Sequence, residues 1–263
     1  MDLPVEGCAR AVAACPIDPP ARLQVHSFES LAAVDGPGLR FAIFFAGCPL
    51  RCAYCHNPDT WTQDGATPYT ADALCQKALR YKPYFGRDGG VTLSGGEPLL
   101  QARALLPLVK KLHAAGVHVA IDTAGSLYNS DVQAILEEKP MLLLDIKMPD
   151  AARYAQYTGG ALSTTLRVLA AAEKAGCETW LRYVVVPGIN DSETDVRAIA
   201  DIGNAHANVT QITLLAYHTL GVHKYEALGL SYPLAGVQPP SQQSMEHLRA
   251  VVDAAFFRRM TQP

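Results

Sequence analysis

Three cysteines, Cys48, Cys52 and Cys55, fall within residues 44–61 (FFAGCPLRCAYCHNPDTW) with the spacing C-x3-C-x2-C. A short loop so spaced can fold around a compact iron–sulfur cubane, each thiolate taking a different iron. A cubane normally takes four thiolates. No pattern in the chain places a fourth cysteine near this loop, so one iron would stay open to a substrate or cofactor. Two other chemistries compete. His56 could complete a structural zinc site, although zinc ligands usually come as two separated pairs, and a histidine directly beside a ligating cysteine points away from it. Cys52 and Cys55 could form a C-x2-C redox pair, which leaves Cys48 without a role.

The elements that must position such a loop follow a steady rhythm. Strand-like apolar runs at 39–47, 90–94, 117–122, 141–146, 179–186 and 209–215 alternate with helical runs near 70–82, 99–115, 129–138, 162–176, 192–206 and 241–258. Ser192 and Ser241 stand where helix N-terminal amides need an oxygen acceptor, and Gly116 and Gly176 stand where a left-handed C-terminal cap favours glycine. Six apolar strands joined by helices predict an α/β fold with a parallel sheet covered by helices on its outer face. Six units are fewer than a closed barrel's eight, so the expectation is a partial (β/α)6 barrel.

Right-handed crossovers bring all strand C-termini to one rim. Polar residues break the apolar pattern at those ends: Cys48, the SGGEP run at 94–98, Asp122 and Thr123, Asp145 and Lys147, and His218, with Arg182 inside its strand. In α/β folds that rim is where chemistry collects. From the residues alone, Asp122 and Asp145 also admit a reading as a general acid–base pair.

With 22 Lys and Arg against 25 Asp and Glu, the net charge of −3 gives no field that would draw the protein to nucleic acid or anionic lipid. No apolar run approaches the roughly 20 residues that span a bilayer. A faint lipoprotein-like tetrapeptide at 12–15 lacks a preceding hydrophobic segment, so a cytoplasmic protein is expected. Residues 1–22 are expected to form a loosely ordered extension carrying Cys8 and Cys15, and residues 23–263 a single domain. Seven cysteines without a secretory signal argue against a disulfide framework. Cys75 and Cys177 are expected as fillers.

The cysteine loop, with Tyr54 before the last cysteine, resembles the radical S-adenosylmethionine superfamily. DGPGLR (35–40), CHNPDTW (55–61), SGGEP (94–98), DTAG (122–125), LLDIK (143–147), LRYVVVPGIND (181–191), YHTLGVHKYEALG (217–229) and GVQPP (236–240) are similar to the activating enzymes of pyruvate formate-lyase, in order, over residues 24–258. The resemblance implies a [4Fe-4S] cluster on Cys48, Cys52 and Cys55. S-adenosylmethionine bound at the open iron would be cleaved reductively to methionine and a 5'-deoxyadenosyl radical, which takes a hydrogen atom from a glycine of a partner enzyme.

It further implies that Gly95, Gly96 and Glu97 let backbone approach the methionyl amine, and that Asn57 and the Tyr54 backbone touch the cofactor near the cluster. Val184 would lie beside the adenine, and His218 and Arg182 would hold adenosine and carboxylate groups. Lys147 would add positive charge, Asp35 would face the partner's glycyl loop, and Asp122, Thr123, Asp145 and the Leu143 carbonyl would bind a monovalent cation, sodium or potassium. Ala216 stands where the family tends to have proline. Only Cys75 lies between Cys55 and Gly95, which leaves no room for the extra clusters of several related activases and favours pyruvate formate-lyase as partner. A monomer served by reduced flavodoxin or ferredoxin is implied. The basic stretch 77–87 reads as a solvated helix face or a docking patch for an acidic donor. The rival classes are an iron–sulfur electron carrier and a zinc-stabilised scaffold.

Overall fold

Residues 21–257 are described in the computed structural model. Most of the expected N-terminal extension, with Cys8 and Cys15, and the chain beyond 257 lie outside the described residues. One sheet organises the rest: β1 (Leu23–Ala32), β2 (Arg40–Phe45), β3 (Thr67–Tyr69), β4 (Gly90–Gly95), β5 (His118–Thr123), β6 (Met141–Asp145), β7 (Thr179–Val185) and β8 (Val209–Ala216). Their order is β3-β1-β2-β4-β5-β6-β7-β8. The strands β2 and β4 to β8 pair in parallel and are the six expected ones. The sheet is open, with β3 and β8 as its edges.

Two strands are additions. β1 runs antiparallel to β2, and β3 antiparallel to β1. Register shifts between Val25 and Ser27 and between Ser30 and Ala32 interrupt β1, so its sequence lacks the period-two pattern that betrays a strand.

The helices are α1 (Ala71–Leu79), α2 (Ala102–Ala114), α3 (Ser130–Glu137), α4 (Ala151–Thr158), α5 (Leu162–Ala175), α6 (Glu193–Ala205), α7 (Val222–Ala227) and α8 (Gln242–Ala255). Ser192 and Ser241 cap α6 and α8, accepting from the amides of Asp195 and Ser244, and Gly176 closes α5 at φ 78°. The short helices α4 and α7 were not foreseen.

Successive strand residues point to opposite faces, which divides the molecule into a dry outer layer and a polar hollow. On the outer face Ile43, Phe45, Val91, Leu93 and Ile121 pack with Leu105, Leu108 and Leu112 of α2. Leu181, Tyr183 and Val185 pack with Val196 and Ile199 of α6 and Leu248 of α8. The alternate positions Phe44, Ser94, Asp122, Asp145, Arg182 and Val184 face a cavity inside the curve of the sheet. The outer-face packing fixes the strand backbones, and the strand ends carry the polar groups inward.

Candidate active site

The cysteine loop is held from both sides by backbone hydrogen bonds. Gly47 and Cys48 donate to the carbonyls of Thr60 and Trp61 (2.7 and 3.2 Å), while Arg51 and Ala53 donate to those of Thr158 and Tyr157 at the end of α4 (2.8 and 2.9 Å). Those α4 carbonyls are the unpaired acceptors that any helix leaves at its C-terminus, so the helix end serves as a socket for the loop. Asp150 accepts from the Arg153 amide at the start of α4, and Gly159 caps it at φ 73°. This Asp-to-Gly frame is the signal from which α4 could have been found. The Arg51 guanidinium lies 5.0 Å over the Trp61 ring and bonds the Cys48 and Leu50 carbonyls. Tyr54, buried, donates its hydroxyl to the Lys147 carbonyl at 2.9 Å.

All three thiols are free and line a cavity of about 380 Å³. Burial pushes Cys48 up to about 12 and Cys52 up to about 11, and raises Cys55 as well. They therefore keep their protons until a metal replaces them, the opposite of the depressed thiol that a C-x2-C redox pair uses. Among the described residues no three His, Cys, Asp or Glu side chains converge closely enough to hold one metal ion. His56 does not complete a zinc site. Its Nε2 lies 3.1 Å from the His218 carbonyl and its ring stacks on that of His218 at 3.8 Å. Burial, then His218, pushes His56 down to about 4, so the stacked ring is neutral at pH 7. Cys75 and Cys177 are buried elsewhere, in the outer layer.

The opposite wall is a chain of charges. Arg182 on β7 bonds Asp122 on β5 and reaches Asp145 on β6 with Nε at 2.8 Å; Lys147 bonds the other Asp145 oxygen at 2.6 Å, and Ser94 donates to Asp122 at 2.8 Å. Burial alone would raise Asp145, but Arg182 and Lys147 outweigh it and hold the carboxyl low. Burial likewise opposes the charge on Lys147 and Arg182, and their carboxylates overcome it. Asp122 and Asp145 are thus both bonded to Arg182 rather than to each other.

The sequence-expected residues Asp35, Tyr54, Asn57, Gly95, Gly96, Asp122, Thr123, Asp145, Lys147, Arg182, Val184 and His218 all line this cavity with the cysteines. Glu97 and Leu143 are absent from its wall. The Glu97 carboxylate is buried beneath it, accepting from the Leu99 and Ala124 amides and the Thr123 and Ser126 hydroxyls. The Thr123 hydroxyl is therefore turned toward Glu97, away from Asp122. Leu143 packs with Ala120 and Met141. Gly95 and Gly96 are dictated first by the neighbouring chain: a Cβ would lie 2.3 Å from the Phe45 amide at Gly95, which has φ 109°, and 2.3 Å from the Gly47 carbonyl at Gly96. Ser94, Phe44 and Leu215 also line the wall; the alternation of their strands marks them once the inner face is known.

The fit to a cluster and a nucleoside-bearing amino acid rests on these groups. Three free thiols, one buried and two half-buried, are placed to take a metal, and His218 offers a buried Nδ1 with no hydrogen-bond partner among the described residues, the kind of orphan that a ligand satisfies.

Residues 42–198 match the Radical SAM superfamily. The pyruvate formate-lyase-activating enzyme of Clostridium pasteurianum is 45% identical over 226 residues, covering 86% of this chain and 94% of that one. The pyruvate formate-lyase 1-activating enzyme of Escherichia coli K12 is 36% identical over 233 residues, covering 88% and 95%. Among solved structures, a domain of pyruvate-formate lyase-activating enzyme from Bacteroides vulgatus aligns with TM-score 0.52 at 22% identity, over 64% of this chain and 94% of that one. Streptococcus suis SuiB bound to its precursor peptide SuiA aligns with TM-score 0.65 at 14% identity, over 82% and 45%, a likeness of fold. A three-cysteine loop over a cavity in an open parallel sheet, joined to identity of this extent over nearly the whole of the relatives, has one meaning: the chain belongs to the radical SAM superfamily and, within it, to the family of pyruvate formate-lyase-activating enzymes.

Proposed function

We propose that this chain activates a glycyl radical enzyme, pyruvate formate-lyase being the favoured partner, by removing a hydrogen atom from one of its glycines. The observation that carries the reading is the set of three free thiols on one clamped loop, Cys52 buried and Cys48 and Cys55 half-buried, all opening onto a single cavity. When bound, a [4Fe-4S] cluster and S-adenosylmethionine supply a 5'-deoxyadenosyl radical by one-electron cleavage of the sulfonium. The protein's part is to bind, orient and exclude water. Cys48, Cys52 and Cys55 would hold the cluster. The Gly95–Gly96 backbone, Asn57 and the Tyr54 backbone would receive the methionyl end, with Val184 and His218 beside the adenosine. Arg182 and Lys147 present the positive charge that suits a carboxylate, and Asp35 at the cavity lip would face the incoming glycyl segment.

A monovalent cation on Asp122, Thr123, Leu143 and Asp145 would share its ligands with the protein's own cations. Arg182, Lys147 and Ser94 engage the Asp122 and Asp145 carboxylates, one donor to an oxygen, and the Thr123 hydroxyl donates to Glu97; no step is derived through the cation. Reduced flavodoxin or ferredoxin is the electron donor that the reading calls for. The 77–87 stretch offers it less than its composition suggests: Lys77 sits over Phe28, Lys82 bonds the Ala115 carbonyl and Arg87 pairs with Asp88. No helix of the described residues is long and apolar enough to cross a membrane; a cytoplasmic monomer completes the proposal.

The test is anaerobic reconstitution with iron and sulfide, reduction, and addition of S-adenosylmethionine and pyruvate formate-lyase. About four irons per chain, 5'-deoxyadenosine and a glycyl doublet in electron paramagnetic resonance are expected. A cluster indifferent to S-adenosylmethionine would make the protein an electron carrier, and one zinc per chain with no iron would make it a scaffold.

A further inference from the structure

Lys224 on α7 does not line the active-site cavity, yet its ammonium bonds the loop that does. Nζ donates to Asn57 Oδ1 at 2.9 Å and lies 3.1 and 3.0 Å from the two Asp59 oxygens, three contacts for the three donors that an ammonium carries. Asp59 in turn lies 3.2 Å from His26 Nε2 on β1. His26, Asn57 and Lys224 help to wall a second hollow of about 310 Å³, which shares Phe44 and Asn57 with the active-site cavity. Asn57 therefore stands between the two spaces, with Lys224 on the far side of it.

Fastening α7 is not what Lys224 is needed for. The Tyr225 hydroxyl donates to the Cys55 carbonyl at 3.1 Å, the Tyr225 ring meets Trp61 edge-on at 5.8 Å, and a Cβ on Gly221 would come 2.5 Å from the His56 carbonyl oxygen. Beside such contacts, an ion pair whose partners are each 27% exposed adds little to stability. What the ammonium does settle is the orientation of one amide. A side-chain amide can present either its oxygen or its NH2 to a given neighbour, but a lysine only donates, so Oδ1 must face Lys224. The Asn57 NH2 is left as the free end, and it makes no hydrogen bond among the described residues. The cavity is thereby offered a donor at this position.

We propose that Lys224 is a positioning residue that holds the Asn57 amide as a hydrogen-bond donor to an acceptor oxygen of S-adenosylmethionine. This rests on the activating function proposed above and deepens it. Lys224 touches no reacting atom and acts through Asn57, so its loss weakens capture of the cofactor while sparing cluster ligation and the fold.

The test uses Lys224→Met, which keeps the apolar stem and removes the donors, Lys224→Arg, which restores a donor-only group, Asn57→Ala, and Lys224→Met combined with Asn57→Ala. Each full-length protein is reconstituted with iron and sulfide and titrated with S-adenosylmethionine by calorimetry in the absence of reductant, so that binding is read without cleavage. Bound iron is measured in each, and the metal-free forms are melted. Lys224→Met is expected to weaken binding about five- to tenfold, the size of one hydrogen bond. Its iron content should match the parent's, and its metal-free melting temperature should stay within about 4 °C of the parent's. Lys224→Arg should recover most of the affinity. In the Asn57→Ala background the same Lys224→Met change should cost about twofold or less, because the group it acts through is gone. Unchanged affinity in Lys224→Met, an equal loss with and without Asn57, no recovery with arginine, or a larger fall in melting temperature would overturn the inference. Failure of the parent to bind S-adenosylmethionine would instead overturn the proposed function.

Discussion

Glu97→Gln is nearly isosteric, yet the structure makes it a severe change. Oε1 accepts from the Leu99 amide at 3.1 Å and the Thr123 hydroxyl at 2.6 Å; Oε2 accepts from the Ala124 amide at 3.2 Å and the Ser126 hydroxyl at 3.1 Å. All four partners donate. A glutamine must present its NH2 to one pair or the other, and hydroxyls can rotate to accept from it whereas backbone N–H groups cannot. Either flip therefore leaves one backbone amide facing another donor at a site only 1% exposed. An unsatisfied buried donor costs about 1–3 kcal/mol, and direct donor–donor contact places this one in the upper half of that range. For a chain near this length each kcal/mol moves the melting temperature by about 2–4 °C, so a fall of about 5–10 °C is expected. Ser126→Ala removes one donor without adding a conflict and should lower it by about 4 °C or less. Thermal unfolding followed by circular dichroism on the metal-free protein reads both. A Glu97→Gln melt within about 1 °C of the parent would refute the reasoning and would mean that the carboxyl carries a proton of its own in the fold.

Cys48→Ala, Cys52→Ala and Cys55→Ala should each abolish 5'-deoxyadenosine formation and lower bound iron, while Cys75→Ala and Cys177→Ala keep both; retained cleavage in any of the first three contradicts the ligand assignment. Arg182→Met leaves Lys147 alone against two largely buried carboxylates and should cost about 3–5 kcal/mol near pH 7 in denaturant unfolding. The sign of its pH dependence should invert. In the parent, Asp145 is held below its usual 3.8, so its contribution is present above that value and lost as pH falls through the folded pKa. In the variant a folded carboxyl rises above its unfolded value, so stability is recovered as pH falls through that raised pKa toward the unfolded one. Gly221→Ala would set a Cβ 2.5 Å from the His56 carbonyl; separation of the His56 and His218 rings should appear as weaker S-adenosylmethionine affinity by calorimetry, and unchanged affinity would argue against a ligand role for His218.

The six parallel strands were legible because each is a short apolar run followed by a helix with its own start and stop residues. β1 was not legible, since its shifted register mixes exposed and buried positions, nor was β3, at three residues. The helices α4 and α7 are too short for their periodicity to stand out. In the site, the residues that reach the cavity were legible as polar interruptions at strand ends. The aim of individual side chains was not. Glu97 and Thr123 sit at the right strand ends but bond each other beneath the cavity, and Arg182, expected to meet a ligand, already meets Asp122 and Asp145. Such choices depend on which partners the completed sheet brings near, and spacing along the chain does not encode that. Arg40, on β2, shows the same limit: it is fully buried and has no ion pair among the described residues, and nothing local marks an arginine in a strand that way.

The grip of α4 and residues 60–61 on the cysteine loop bears on how the protein matures. Zinc-finger domains fold only as they coordinate their ion, so losing it unravels them. Here main-chain bonds between polypeptide segments share in setting the loop's path, so its conformation does not rest on thiolate ligation alone, and a shell that outlasts loss of the inorganic core is the expected behaviour.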